Sequence, residues 1–179
     1  MRRDRATRLP AGVRTSVNLI LTAASLALAS SAARTHGPTP IKIVERIEIA
    51  AKPQAVWAIV GDFVKISAWD PAVAASEGAF DERQGKERIL TLKGGGKITD
   101  ALTEYDGERM TYSYRRVDDD VQVFPVFFYS ATIKLLPTGA GTEIKWTGQF
   151  YRGDTSNDPP ENLNDDAARK AMSEFFEAD

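Results

Sequence analysis

The chain has 179 residues, which is enough for one ordinary domain and too few for two comfortable ones. Its content of 42% hydrophobic and 27% charged residues is typical of a globular protein, and excludes a chain that is wholly disordered or membrane-embedded. It has no cysteine, which excludes disulfides, a thiol nucleophile and cysteine-bound metals.

The N-terminal residues have the pattern of a secretory signal peptide. Five arginines within residues 2–14 precede an apolar run of 13 residues, Val17 to Ala29, which is short for a membrane span of roughly 20 residues. Cleavage is expected after Ala27-Leu28-Ala29, with Ser31-Ala32-Ala33 as a second option. We expect a signal peptide over 1–29, a linker over 30–40 and one domain over 41–179. The product would be periplasmic or secreted, without stable membrane insertion after cleavage; an uncleaved N-terminal anchor is the alternative.

Charge and histidine content narrow the possible partners and cofactors. Residues 30–179 carry 18 basic residues (23 minus 5) and 24 acidic residues (25 minus 1), a net charge of −6. No basic stripe is present, so no nucleic-acid partner is expected. The only histidine, His36, lies in the linker, which leaves the domain without histidine metal sites or Ser-His-Asp catalysis. Residues 118–120 are three aspartates without EF-hand spacing, so we expect a solvated turn rather than a calcium site. No cofactor is predicted.

The domain begins with a strand and two short helices. Apolar residues alternate from Ile41 to Ala50, the period of a half-buried strand. Pro53 suits the first turn of a helix, and Gly61-Asp62 interrupts that helix. A second stripe then runs from Phe63 to Trp69 and ends before Pro71.

From Val73 onward the pattern is that of strands until a final helix. Strands are predicted over 87–92, 97–106, 109–117, 126–136 and 142–151, with Lys93 to Gly96 as a hairpin turn. After Pro160 the apolar residues return at helical spacing, from Leu163 to Phe176. Adjacent strands with helices gathered on one side indicate an α+β fold with an antiparallel sheet.

Four motifs carry a resemblance to a known superfamily. They are Val-Trp-x-x-Val-Gly-Asp-Phe (56–63), Trp-x-Pro (69–71), Leu-Thr-Leu (90–92) and Thr-Glu-Tyr-Asp (103–106). The chain resembles, over about residues 43–178, the START-like helix-grip (SRPBCC) superfamily, and within it the polyketide cyclase/dehydrase and lipid-transport family. The resemblance implies a curved antiparallel sheet of about seven strands around a long C-terminal helix. Two short helices would follow the first strand, and the interior would hold a small apolar molecule.

The chain looks closest to a periplasmic branch of that family whose best-known members assist methanol oxidation. It departs from that branch at Asp70, where a histidine commonly precedes the proline.

Asp100 is the sharpest candidate for chemistry. It alternates with Ile98 and Leu102 and would share their inward face if the strand is regular. A carboxylate there could act as a general acid or base, or hold the polar end of a ligand. The alternative is a bulge that turns Asp100 to solvent.

Other inward-facing side chains complete the predicted ligand-binding set, in which no residue is assigned a catalytic role. Packing of the core is the alternative for each aromatic member. The set comprises Asp100, Tyr112, Tyr114, Arg116, Tyr129, Trp146, Phe150 and Met172.

Three further segments receive structural or gating interpretations. Trp57 and Trp69 are expected to be packing anchors rather than ligand contacts. Lys93 to Gly96 is interpreted as a gate or a simple flexible hairpin, and Phe124 to Tyr129 as a second rim of the mouth, a docking patch or ordinary core.

These observations favour noncatalytic binding or transport of a small hydrophobic molecule, such as a lipid, an aromatic or a polyketide-like compound. Two alternatives stay open. One is a polyketide cyclase or dehydratase; the other is an accessory protein that docks to a periplasmic oxidoreductase.

Overall fold

The computed structural model describes residues 37–78, 87–118 and 120–176, all within one compact unit, Thr35–Asp179. The predicted signal peptide and its cleavage sites lie outside the described residues. The proposed boundaries of the leader, linker and domain therefore stay predictions.

Within the described residues, seven strands and two α-helices follow one another in the predicted order. The elements are β1 (Ile41–Ile49), α1 (Pro53–Val60), a 3-10 helix (Phe63–Ala68), β2 (Val73–Gly78), β3 (Glu87–Leu92), β4 (Lys97–Asp106), β5 (Thr111–Arg116), β6 (Val126–Pro137), β7 (Thr142–Arg152), a short 3-10 turn (Glu161–Leu163) and α2 (Asp165–Phe176).

The strands form one antiparallel sheet in the order β1-β7-β6-β5-β4-β3-β2. Register shifts interrupt three of the pairings: between Val73 and Ala75 in β2, Leu102 and Glu104 in β4, and Phe127 and Ser130 in β6. Each shift inserts one residue into its strand, and such bulges bend a sheet and increase its twist. The result is the predicted curved sheet of an α+β helix-grip fold, which is confirmed.

Helix α2 packs on the inner face of the sheet. Its residues Met172, Phe175 and Phe176 are buried, and the Phe176 ring meets the Trp146 ring edge-on with centroids 4.2 Å apart. The period-two alternation of β5, β6 and β7 places their large side chains on that same face. Burial of these aromatic and aliphatic groups is the main stabilising contribution to the domain.

The two short helices follow β1 as predicted, but they differ in kind. α1 has Pro53 in its first turn and ends at Gly61, whose amide donates to the Trp57 carbonyl oxygen at 2.8 Å. The second is a 3-10 helix with a kink at Lys65, capped by the Asp62 carboxylate. Trp57 packs on the rings of Tyr105 and Tyr112, in agreement with its predicted anchoring role.

None of the helices in the part of the chain that the structure describes is long and apolar enough to cross a membrane.

Candidate functional site

A buried charge cluster lies on the inner face of the sheet, centred on Asp100. The Asp100 Oδ2 atom accepts from Arg88 Nη2 at 3.2 Å, and Oδ1 accepts from Arg116 Nε at 3.3 Å. The three side chains are almost completely excluded from solvent. Asp100 therefore faces inward, as its alternation with Ile98 predicted, and it is held between two guanidinium groups.

Register explains why these three residues meet. Asp100 is the central member: it stands opposite Arg88 in the β3–β4 pairing and opposite Arg116 in the β4–β5 pairing. Side chains at directly opposed positions in antiparallel strands project to the same face of the sheet. The cluster is thus a row across three strands.

Arg88 has partners at both of its terminal nitrogens, although its buried Nε atom has none among the described residues. Its Nη1 atom donates to the Phe63 carbonyl oxygen at 2.7 Å, and its guanidinium carbon lies 4.1 Å from the Phe63 ring centroid and 4.6 Å from that of Tyr114. Burial is the strongest single influence and opposes the charge of this guanidinium, but Asp100, Tyr114 and Tyr112 together outweigh it, so the pKa of Arg88 is raised. Arg88 is therefore a cation that joins the 3-10 helix to the sheet.

Arg116 is bound less completely. Its guanidinium carbon lies 4.8 Å from the Phe124 ring centroid and 5.0 Å from that of Tyr129, and its Nε atom donates to Asp100. Both Nη1 and Nη2 are buried and lack a hydrogen-bond partner among the described residues. Unsatisfied buried donors are costly. Arg116 has two such nitrogens, more than any other buried side chain among the described residues.

Asp70 is a second buried carboxylate near this cluster. Its Oδ1 atom accepts from the Ala72 amide at 2.9 Å, while Oδ2 is buried without a partner in the described ranges. Burial raises the pKa of Asp70 to about 6, against the lowering influence of the Ala72 amide, Arg88 and Lys93. Asp70 therefore changes charge close to neutral pH.

The predicted aromatic residues form a connected cluster beside the charges. The Tyr114 and Tyr129 hydroxyls are 3.0 Å apart, and Trp146 Nε1 donates to the Tyr114 oxygen at 3.1 Å. Burial raises the pKa of both tyrosines. It also raises that of Tyr112 to about 12, against the lowering influence of Arg88. The Tyr112 hydroxyl has no hydrogen bond of normal geometry to any described residue. These phenols are neutral at physiological pH.

The structure brings all eight predicted site residues into one buried core. Phe150 and Met172 are fully buried there and add apolar surface. Their contact with a ligand stays a prediction, as does that of the other six. Within the described ranges, no group of three or more His, Asp or Glu side chains could hold a metal ion.

A pocket of about 400 Å³ opens beside this core. Its wall combines the turn after the 3-10 helix, the β3–β4 hairpin, the β5–β6 loop and α2. The lining residues are Pro71, Ala72, Leu92, Lys93, Gly94, Gly95, Val123, Phe124, Pro125, Ala171, Glu174 and Phe175. Two segments that the sequence indicated as rims, the Lys93 hairpin and the start of the Phe124 run, thus meet at one opening.

Phe124 and Phe175 separate this pocket from the buried cluster. Phe124 lines the pocket and also lies against the Arg116 guanidinium. Phe175 lines the pocket and packs on the Trp146 ring, with centroids 5.8 Å apart. The two phenylalanine rings contact each other edge-on, with centroids 5.7 Å apart. One layer of side chains therefore divides the pocket from the polar interior.

Sequence reasoning did not select Arg88 or Asp70 for the site. The signal for Arg88 was its alternation with Leu90, because a residue two positions from a buried leucine in a strand shares its face. Asp70 was noted only as a departure from a histidine, and no periodic pattern predicts burial at the end of a short helix.

The fold and the site define a helix-grip domain with an aromatic interior that contains a few polar groups. The sequence matches the family described as polyketide cyclase/dehydrase and lipid transport over residues 40–179, so the chain belongs to that family. The family resemblance found in the four sequence motifs is confirmed. No curated protein matches the chain.

Several solved structures share the fold. An aromatase/cyclase, Zhui from Streptomyces sp. R1128, has a TM-score of 0.60 at 17% identity, covering 78% of this chain and 86% of that chain. XoxI from Bacillus cereus has a TM-score of 0.59 at 22% identity, covering 76% and 91%. An uncharacterized protein from Bacillus thuringiensis has a TM-score of 0.59 at 22% identity, covering 77% and 95%. At these identities the likeness establishes the fold alone.

Proposed function

We propose that this protein binds or transports a small hydrophobic molecule in its interior without transforming it. The observation that carries the proposal is the 400 Å³ pocket whose wall includes Leu92, Phe124 and Phe175, next to a buried aromatic core with unsatisfied polar groups. Ligand sites in proteins usually combine apolar walls with a small number of placed polar groups. The family description, which includes lipid transport, supports the same conclusion.

The geometry of Asp100 favours binding over catalysis. Both of its oxygens accept hydrogen bonds from arginine, and the surrounding positive charge stabilises the carboxylate. A general base must reach a substrate proton with a free lone pair at hydrogen-bond distance, and Asp100 would have to release an arginine to do so. The three tyrosines are neutral phenols whose raised pKa values make them weak acids.

Native mass spectrometry of protein purified from its own cells tests this proposal. We expect a co-purifying hydrophobic molecule of a few hundred daltons, and recovery of binding when stripped protein is offered lipids, aromatic compounds and polyketide-like compounds. A protein that is always empty and has no affinity for any of these would contradict the proposal.

A cyclase or dehydratase is the second candidate, favoured by the buried carboxylate, arginines and phenols of the cluster and by the aromatase/cyclase among the similar structures. Turnover of a linear polyketide analogue that disappears in Asp100→Asn, with folding retained, would favour it over simple binding.

Docking to an oxidoreductase is the third candidate. Phe128 is 67% exposed, with a backbone φ of 50°, at the β6 bulge. Holding an aromatic side chain outward in this strained region would suit a partner surface beside Phe127 and Tyr151. The resemblance to a periplasmic methanol-oxidation branch suggests such a partner. Capture of one dehydrogenase or cytochrome by the protein, lost in Phe128→Ser, would support it.

We propose that all three activities take place in the periplasm or outside the cell, after removal of residues 1–29. The basic and apolar pattern of the leader supports this. N-terminal sequencing of protein from fractionated cells tests it, because an intact Met1 in the cytoplasm would contradict export.

A further inference from the structure

We propose that the ligand of this protein carries a carboxylate, and that the Arg116 Nη1–Nη2 edge binds it. This inference rests on the proposed function, because it names the polar group of the hydrophobic molecule held there.

The counter-charge of Arg116 is shared. Arg88 and Arg116 both bond to Asp100, whereas Asp70, the second buried carboxylate of the described residues, is acted on by Arg88 and Lys93. The carboxylate on the pocket wall, Glu174, pairs with Lys170. A buried cation is stabilised by an anion at its unpaired atoms, so Arg116, which has only a share of one carboxylate, is suited to one anionic group.

The free edge of Arg116 has the shape that a carboxylate requires. The Phe124 and Tyr129 rings lie against the guanidinium, and Asp100 occupies the Nε atom. Only the Nη1–Nη2 edge is left, with both nitrogens unpaired within residues 37–78, 87–118 and 120–176. Two parallel N–H groups in one plane match the two oxygens of a carboxylate. A single hydroxyl or ketone oxygen would satisfy fewer of these donors.

The pocket provides the apolar half of the ligand site. Phe124 both lines the pocket and covers Arg116, so rotation of this one ring would connect the two spaces. A molecule with its apolar body against Leu92 and Phe175 would then place its acidic end at Arg116. The chemical class is a monocarboxylic amphiphile, with either an alkyl chain or an aromatic body.

Two matched probe pairs test this inference: dodecanoate against 1-dodecanol, and 2-naphthoate against 2-naphthalenemethanol. Binding is measured by calorimetry and by tryptophan fluorescence, to which the buried Trp146 contributes. We expect at least tenfold tighter binding of one acid than of its uncharged partner. In Arg116→Met the acid should bind no better than the alcohol, and Arg116→Lys should retain part of the preference, because it keeps the charge without the planar fork.

The matched control is Arg115→Met. Arg115 is the neighbouring residue on β5 but is exposed on the outer face of the sheet, so this variant should keep the full preference. Urea unfolding of Arg116→Met verifies that the variant is folded. If acid and alcohol bind equally and Arg116→Met changes neither, the carboxylate inference is wrong while hydrophobic binding stands. If no probe of either pair binds, the carboxylate inference is wrong, while the proposed function is decided separately by the wider set of lipids, aromatic compounds and polyketide-like compounds in the mass-spectrometry experiment.

Discussion

The two sides of the Asp100 carboxylate differ in how completely they are satisfied. On one side, Arg88 bonds to Asp100 and to the Phe63 carbonyl oxygen and lies on two rings. On the other, Arg116 bonds only to Asp100, and two of its nitrogens are unpaired within the described ranges. One buried ion cluster can therefore serve two purposes. The Arg88 side fixes the 3-10 helix to the sheet, and the Arg116 side has the unpaired donors to which we propose that a ligand binds.

Removal of the Asp100 carboxylate, which Arg88 and Arg116 share, should cause the largest loss in the free energy of unfolding. Asp100→Ala leaves two buried guanidinium groups without a counter-charge, and breaking such a cluster costs about 3 to 5 kcal/mol. Urea unfolding should show this loss of stability or a variant that no longer folds. Glu104→Ala, at an exposed position of the same strand, is the control and should change little. A fully stable Asp100→Ala protein would show that the cluster is not a structural unit.

The titration of Asp70 should have the next largest effect. Its pKa rises from 3.8 when unfolded to about 6 when folded, so its contribution to stability is complete below pH 3.8 and is lost as the pH rises through 6. At 1.36 kcal/mol per pKa unit the loss is about 3 kcal/mol. The free energy of unfolding, compared between the native protein and Asp70→Asn from pH 4 to 7, measures it. We expect the native protein to lose stability relative to the variant; parallel curves would refute this.

Substitution of each arginine by methionine compares the two sides directly. Arg88→Met leaves the Phe63 carbonyl oxygen unpaired and removes a hydrogen bond to Asp100. We expect this to lower the free energy of unfolding by about 3 kcal/mol. Arg116→Met removes one hydrogen bond to Asp100 and also removes two unpaired donors. We expect the free energy of unfolding to fall by about 1 kcal/mol or less. Equilibrium unfolding in urea gives both values. Equal losses would mean that the two sides are structurally equivalent.

Replacement of the buried tyrosines by phenylalanine should give the smallest changes in stability. Tyr114→Phe removes the oxygen that accepts a hydrogen bond from Trp146 and pairs with the Tyr129 hydroxyl. We expect the free energy of unfolding to fall by about 1 kcal/mol. Tyr112→Phe removes a hydroxyl without a normal hydrogen bond to the described residues, so its thermal midpoint should stay within error of the native value. A larger loss for Tyr112→Phe than for Tyr114→Phe would reverse this assignment.

Much of the fold could be predicted from the sequence because its signals are local. Alternation on β5 placed Tyr112, Tyr114 and Arg116 on one face, and the structure has all three buried there. Local signals fail where the partner is distant. Whether Arg88 meets Asp100 depends on the register of the β3–β4 hairpin, which the turn sets. A shift of one residue in that register would move the side chains of one strand to the opposite face of the sheet.

Bulges are the second limit on what the sequence predicts. The extra residue at Thr103 turns Glu104 outward and Tyr105 toward Trp57, although strict alternation would keep Glu104 on the face of Asp100 and Leu102. Phe128 is exposed for a related reason, since the β6 bulge gives it a positive φ. No residue type at either position marks the bulge. The pocket wall could not be predicted from local patterns either, because it combines segments that lie far apart in the sequence, from residue 71 to residue 175.

Gly96 determines how closely two walls of the pocket approach each other. Its φ is +82°, and a methyl group there would overlap the Val123 side chain. The β3–β4 hairpin can therefore approach the β5–β6 loop only because position 96 has no side chain. A side chain at position 96 would push the hairpin and the loop apart, whereas a smaller residue at Val123 would widen the pocket at its wall. Among the described residues, neither position contacts the charged cluster through a hydrogen bond or ion pair. The width of the entrance and the chemistry of the interior are thus independent properties of this domain.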